Sequence, residues 1–262
     1  MIKKLIFLSC IIITQILHSQ NRYGLVEYGH IQSFGMGAPV GIDYNAYLTF
    51  NQNQSSYVFR KDSLEGGPIN KMTHIENKNQ HYFINKATFP NGLICHFNRI
   101  DNSLNSSNVG SNYVKEEIPV IDWKISQETK KIGALDCIKA TGSFRGREYT
   151  AWFSPEIPVP FGPWKLYGLP GLILEAYDKN KEIYFYFKSL EYPTKRFSQI
   201  ELPRPDTENA QWIDLNTYKK NLMQRHKKGV KRGRVLSEAG NSRLSNQVKL
   251  PMSNVYIEAF DE

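Results

Sequence analysis

The sequence predicts a mainly β protein of the α+β class, a curved antiparallel sheet or half-open barrel with one late basic helix. Three observations carry this. Aromatic residues make up 13% of the chain, with 15 Tyr and 14 Phe beside 18 Gly and 13 Pro, a composition of strands and turns rather than of a helix bundle. Short runs of alternating apolar and polar residues recur along most of the chain. A single stretch, after Pro203, has helical spacing, so the regular strand–helix alternation of a parallel α/β fold is absent.

From Arg22 the pattern alternates, with Tyr23, Leu25, Glu27 and Gly29 on one face and Val26, Tyr28 and His30 on the other. Ala46–Phe50 and Ser56–Arg60 are the next strand candidates. Asp62–Asn79 is polar, contains Gly66-Gly67-Pro68, and reads as a loop. His81–Thr88 and Leu93–Asn98 read as strands joined through the turn Pro90-Asn91-Gly92. Asn98–Asn112, rich in Asn and Ser, reads as a loop. Val120–Ser126, Lys131–Phe144 and Arg147–Phe153 are strand candidates, with a turn at Ser143–Gly146. Leu172–Tyr177 and Glu182–Leu190 form a hairpin about Asp178-Lys179-Asn180-Lys181. Both faces of Tyr184-Phe185-Tyr186-Phe187 are aromatic, as expected of a strand covered on both sides or lining an apolar pocket. Asp206–Trp212 is expected to start the helix, with Asp206 or Thr207 as its cap, Leu215–His226 to continue it, and Gly229 and Gly233 to end it. Met252–Phe260 reads as a final strand.

The N-terminus carries an address. Lys3 and Lys4 precede an apolar run from Leu5 to Leu17, and polar sequence follows at once, the pattern of a signal peptide spanning residues 1–20. The run is shorter than the ~20 apolar residues that span a bilayer. It is the only long apolar run, which excludes a multi-span helical membrane protein. Residues 21–262 are expected to form one domain, working in the periplasm, at the outer membrane or outside the cell. Cleavage removes two lysines and leaves a formal charge of about +6 out of +8. It also leaves two cysteines, Cys95 and Cys137. In an exported protein such a pair commonly forms a disulfide, and a bridge between neighbouring strands is one expectation, two buried thiols the other.

The most unusual stretch is Ile157–Ile173. Pro158, Pro160, Pro163 and Pro170 remove donors and fix φ, so it is neither helix nor central strand. The residues between are apolar, aromatic or glycine. Within it Gly168-Leu169-Pro170-Gly171-Leu172-Ile173 reproduces letter for letter the signature of the GLPGLI family, exported proteins of Bacteroidetes-type bacteria. Phe144-Arg145-Gly146-Arg147, Tyr149, Ala151-Trp152-Phe153, Glu156-Ile157-Pro158 and Gly162-Pro163-Trp164 also resemble that family, over about residues 123–178. The family ends on Asn-Pro-Ile-Glu, whereas here a looser Asn254-Val255-Tyr256-Ile257-Glu258 stands. The resemblance implies export and association with outer-membrane TonB-dependent receptors. It implies no catalytic residues, because none are established for the family.

The residues offer little enzyme chemistry. No G-x-S-x-G elbow, H-E-x-x-H motif or phosphate-binding Gly-rich loop is present. His30, His74, His81 and His96 are scattered; His81 and His96 on paired strands would be a two-His site, but surface or hydrogen-bonded histidines are the simpler expectation. No metal and no cofactor are expected. Arg147 and Glu175 are candidates for a buried pair orienting the signature. Trp152, Trp164, Tyr167, Tyr184 and Tyr186 are candidates for core or for the walls of a pocket that holds an apolar ligand such as a lipid or lipopeptide. Lys219, Lys220, Arg225, Lys227, Lys228, Lys231, Arg232 and Arg234 form a cationic run with no acid between Leu215 and Leu236. An export signal argues against nucleic acid and favours an anionic lipid surface or a receptor complex as partner. The expectation is a non-enzymatic envelope accessory protein that binds an apolar ligand or docks on a receptor.

Overall fold

The computed structural model describes residues 22–60, 93–107, 113–196, 199–200, 211–239 and 250–260. The expected loop at 62–79, the strand at 81–88, the turn at 90–92, the helix start at 206–210, His74 and His81 lie outside these residues, as does the N-terminal leader. The described chain forms two antiparallel meanders. The first comprises β1 (Tyr23–Gln32), β2 (Ile42–Phe50), β3 (Gln54–Arg60), β4 (Leu93–Asn98), β5 (Ser103–Ser107) and β6 (Tyr113–Glu117). The second comprises β7 (Lys124–Ile132), β8 (Leu135–Phe144), β9 (Arg147–Ser154), β10 (Leu172–Asp178) and β11 (Ile183–Thr194). Pairing of β1 with β11 joins them into one sheet of twelve strands, ordered β12-β6-β5-β4-β3-β2-β1-β11-β10-β9-β8-β7. The twelfth strand, β12 (Trp212–Asp214), runs parallel to β6 and makes the sheet mixed.

The connectivity forces the sheet to curl. Strands β6 and β7 lie ten places apart in the order, which in a flat sheet would be about 48 Å at ~4.8 Å per strand. Only residues 118–123 connect them, and from Glu117 to Lys124 an extended chain reaches about 25 Å at most. The two ends of the sheet therefore approach each other. They do not hydrogen-bond into a closed barrel; β7 and β12 stay at the edges. The edge strand β7, Lys-Ile-Ser-Gln-Glu-Thr-Lys-Lys-Ile, carries charges that blunt it against further pairing.

The concave side is packed with side chains. Val26, Tyr28 and His30 of β1 face Leu48, Phe50, Tyr57, Phe59, Phe97, Phe153 and Phe185, all buried. Residues 155–171 close over this side. Val159, Phe161, Trp164, Leu166 and Leu169 are buried there. Because the prolines leave few donors, the segment bonds largely within itself: Gly168 N–H donates to Pro160 O (2.9 Å), and Ile173 N–H to Phe161 O (2.9 Å). Its glycines serve different needs. Gly168 has φ +103°, and a Cβ on Gly171 would stand 2.2 Å from the Ser154 carbonyl oxygen.

Several expected elements are corrected. Ser103–Ser107, expected as loop, is β5, a polar strand whose Ser103, Asn105 and Ser106 are buried and whose one large apolar residue, Leu104, packs in the core. Lys131–Phe144 is not one strand, because Gly133, at φ +59°, turns the chain between β7 and β8. The only helix among the described residues, α1 (Leu215–Ala239), passes through Gly229 and Gly233. Its start is held by Asp214, whose carboxylate accepts the Thr217 N–H at 2.7 Å, the part assigned from sequence to Asp206 or Thr207. The expected last strand at 252–260 is a 3-10 turn, Met252–Asn254, followed by an irregular tail. Carbonyls of that tail bond an arginine instead of a neighbouring strand.

The signature glycines and proline are expected to separate on thermal unfolding. Gly171→Ala drives a Cβ into backbone and should destabilise by about 1–3 kcal/mol. Gly168→Ala makes only an ordinary contact, 4.0 Å from the Trp123 indole, and pays for its positive φ, about 1–2 kcal/mol. Pro170 is exposed, so Pro170→Ala should remain within about 1 kcal/mol. An unchanged melting temperature for Gly171→Ala would show that the close approach to Ser154 is not obligatory.

Candidate functional site

The chain's most distinctive chemistry is a charge cluster under one end of the curled sheet. Lys165, in the middle of the Pro/Gly segment, is only 1% exposed. Its ammonium pairs with Glu116 Oε1 of β6 and with Glu258 Oε1 of the C-terminal tail, both at 2.8 Å. Glu116 uses its other oxygen for Arg145, at the turn between β8 and β9. Two cations thus meet two carboxylates. Burial pushes the Lys165 ammonium towards neutrality, but Glu258 and Glu116 outweigh it and raise its pKa above the usual lysine value. Tyr218 of α1 lies beside the cluster, its ring 5.7 Å from the Lys165 nitrogen. Burial and Glu258 raise its hydroxyl pKa strongly.

A second buried cation fastens the same tail. Arg147 of β9 pairs with Asp178 of β10 at 2.5 Å. Its remaining donors reach Ile257 O (3.1 Å), Tyr256 O (2.9 Å) and Ser253 O. Asp178 in turn accepts the Ile183 N–H across the β10–β11 turn. The expected Arg147–Glu175 pair is therefore corrected. Glu175 faces the other side of the sheet, where it binds Lys130 at 2.9 Å.

The five aromatic pocket candidates do not bound one space. Trp164 lies inside, edge-on to Phe59 at 5.7 Å. Tyr167 stacks on Phe97 at 5.2 Å and 13°. Phe185 of β11 faces inward against His30 at 4.5 Å, so alternation sends Tyr184 and Tyr186 to the outer face. There Tyr184 meets Tyr177, and the Tyr186 hydroxyl donates to Asp43 at 2.6 Å. Trp152 shares that outer face, under the Lys130 ammonium at 4.3 Å. Among the described residues the concave side is packed with the chain's own rings.

Cys95 and Cys137 are free and buried. They sit on β4 and β8, separated by six strands in the sheet order, not on neighbours, which corrects the expectation of a bridge between adjacent strands. Burial lifts both thiols, Cys137 to about 11. His30 is buried between Phe59 and Phe185 and bonds the Tyr57 hydroxyl at 3.1 Å. His96 is buried on β4 opposite Ser56, and burial holds its imidazole down at about 4. No group of three or more His, Cys, Asp or Glu is placed to hold a metal among the described residues. Within those residues no helix is long and apolar enough to cross a membrane.

The basic run is α1 itself. Lys219 approaches the Phe260 ring at 5.0 Å. Lys220, Arg225, Lys227, Lys228, Lys231 and Arg232 are exposed. Arg234 lies on the same helix. The sequence identified these cations but passed over Lys165, Glu116 and Glu258. The available signal was a lone lysine inside an otherwise apolar Pro/Gly stretch, since a charge there is either exposed or paired.

Two tests follow from this geometry. Lys165→Met leaves the buried Glu258 without its cation and Glu116 with Arg145 alone, and should cost about 3–5 kcal/mol, more than Glu258→Gln, in urea unfolding. The pH dependence has two limbs. The unfolded chain protonates its histidines near pH 6.5 whereas folded His96 resists to about 4, so the stability this group contributes is full above ~6.5 and falls by about 2–3 kcal/mol towards pH 4.5. His96→Asn should make that limb shallower by this share, leaving the part due to buried His30. In alkali, Lys165, Tyr28, Tyr57, Tyr149 and Cys95 all keep their protons longer when folded. Stability is therefore present below their ordinary pKa values and drops once pH rises through about 9–10. A flat profile to pH 11 would contradict this assignment.

A family model described as a protein of unknown function (Porph_ging) matches residues 144–175, which carry Arg145, Arg147, Lys165 and the signature hexapeptide. No curated protein matches the chain. Two solved structures of PNGF-II, in the C2 and P21 space groups, resemble it with a TM-score of 0.48 and 15% and 16% identity, over 76% of this chain. The chain spans about a third of the length of those proteins, 32% and 33%. What the chain shares with a known family is therefore the stretch 144–175, the part that holds the buried cations, and that family carries no assigned activity.

Proposed function

We propose that this chain is an exported, non-enzymatic accessory protein of the cell envelope that works through its outer surface, as an interaction module docking on an outer-membrane receptor complex. The observation that carries this is the ring-packed core of the described residues. The concave side of the sheet is occupied by Tyr28, Tyr57, Phe59, Phe97 and Phe185 and covered by residues 155–171 with Phe161 and Trp164. Export is supported by the leader pattern of residues 1–20, and the receptor by the resemblance of the signature segment. The Pro/Gly segment is then an internal brace, and Lys165, Glu116 and Glu258 hold it to the sheet and the tail.

An apolar ligand in the curved sheet is the competing function. It needs room where Phe59, Phe185 and Trp164 stand in ring contact with their neighbours. Native mass spectrometry of the protein purified from its own envelope separates the two. The expected result is the bare chain mass, with a co-purifying protein partner in the same preparation. A stoichiometric small mass that is lost on denaturation would overturn the interaction module and make the protein a carrier.

A further inference from the structure

We propose that α1 docks the protein on an anionic lipid surface through a ridge of lysines. The helix has two opposed faces. Tyr218, Leu222 and His226, spaced at i, i+4 and i+8, attach it to the body. Tyr218 meets Phe260 at 6.0 Å, Leu222 is buried, and His226 lies 2.9 Å from Leu250 O and 5.9 Å from the Tyr256 ring. At ~100° per residue, Lys220, Lys227 and Lys231 fall within about 40° of one another on the side opposite that stripe, with Lys228 beside them. All four are exposed. From Lys220 to Lys231 the ridge is about 16 Å long at ~1.5 Å per residue. No Asp or Glu occurs from Leu215 to Ser237.

Beyond His226 the helix has open space around its glycines. A Cβ placed on Gly229 or Gly233 would meet nothing within 4 Å, although both lie in line with the attaching stripe. A flat surface can therefore reach the lysines without touching the sheet. The chemistry of the ridge selects the occupant. Its residues are lysines with Gln224 between them; Met223 and the exposed Val235 only flank it, and it has no aromatic side chain to serve as the desolvated anchor of a protein interface. Nor has it the apolar stripe that would insert among acyl chains. A straight row of compact point charges fits a layer of phosphate headgroups, each lysine adding attraction that salt screens. The proposal rests on the surface-acting function above, but it concerns a different contact from the receptor.

The test is co-sedimentation of the mature protein with vesicles of phosphatidylcholine, with and without phosphatidylglycerol. Binding is expected only with phosphatidylglycerol, and to be lost when salt rises from about 0.1 M to about 0.5 M. K220Q/K228Q/K231Q, with an unchanged melting curve, should bind about tenfold or more weakly. Gln224→Lys, which adds a charge to the ridge, should bind more tightly. Equal binding to neutral vesicles, no binding to anionic ones, or variants indistinguishable from wild type would overturn the proposal. Capture by polyglutamate in preference to the anionic vesicles, with the same lysine dependence, would overturn it in favour of an acidic protein. The native mass and the co-purifying partner are read separately, so lipid docking and the interaction module can fail independently.

Discussion

The structure turns on the Lys165 ammonium. It stands in a segment that cannot pair as a strand, it is buried, and its two carboxylates come from opposite parts of the chain, Glu116 on β6 and Glu258 in the C-terminal tail. Two buried ion pairs of this kind add little net stability over a well-packed apolar cluster, but removing one partner strands a charge away from water. Their effect is therefore on arrangement. With Lys165 committed, the Pro/Gly segment can lie only where β6 and the tail both reach it. Arg145 and Arg147 extend the same logic, tying the β8–β9 turn to Glu116 and β9 to Asp178 and the tail carbonyls.

That cluster and the curl of the sheet support each other. Residues 118–123 pull the far ends of the order together, and Trp123, just after the crossing, donates its indole N–H to Tyr167 O at 2.9 Å. The closed end is then lined by polar ties and the concave side by rings. A curled sheet of this width is open to holding a ligand; here the Pro/Gly segment occupies the concave side instead. The outside carries the basic helix at one end and a sheet face where lysines lie over Trp152, Tyr177, Tyr184 and Tyr186.

Much of this was legible in the sequence, and its limits have physical causes. Strands with clear period-2 alternation, such as Leu93–Asn98 and Arg147–Ser154, and the hairpin at Asp178–Lys181, were found because one face is apolar. The polar strand β5 was not, because Ser103, Asn105 and Ser106 are buried by neighbours that no local pattern announces. The helix was placed but cut short, since Gly229 and Gly233 look like terminators and their tolerance depends on the open space around them. Of the aromatic candidates, Trp152 and Trp164 are buried, whereas Tyr167, Tyr184 and Tyr186 are only partly so. Their grouping into one pocket failed because Tyr184 and Tyr186 alternate with Phe185 across the sheet.

The sequence by itself determined the class of fold, the late basic helix and the rigid Pro/Gly segment, because these depend on local periodicity, on composition and on the fixed φ of proline. Tertiary structure alone decided the charge pairs. Arg147 took Asp178 rather than Glu175 because Glu175 points to the opposite face of β10. Lys165 found Glu116 and Glu258, 49 and 93 positions away in sequence, because a buried ammonium is held by whichever carboxylates the curl and the tail bring within hydrogen-bonding reach. No spacing along the chain encodes that distance.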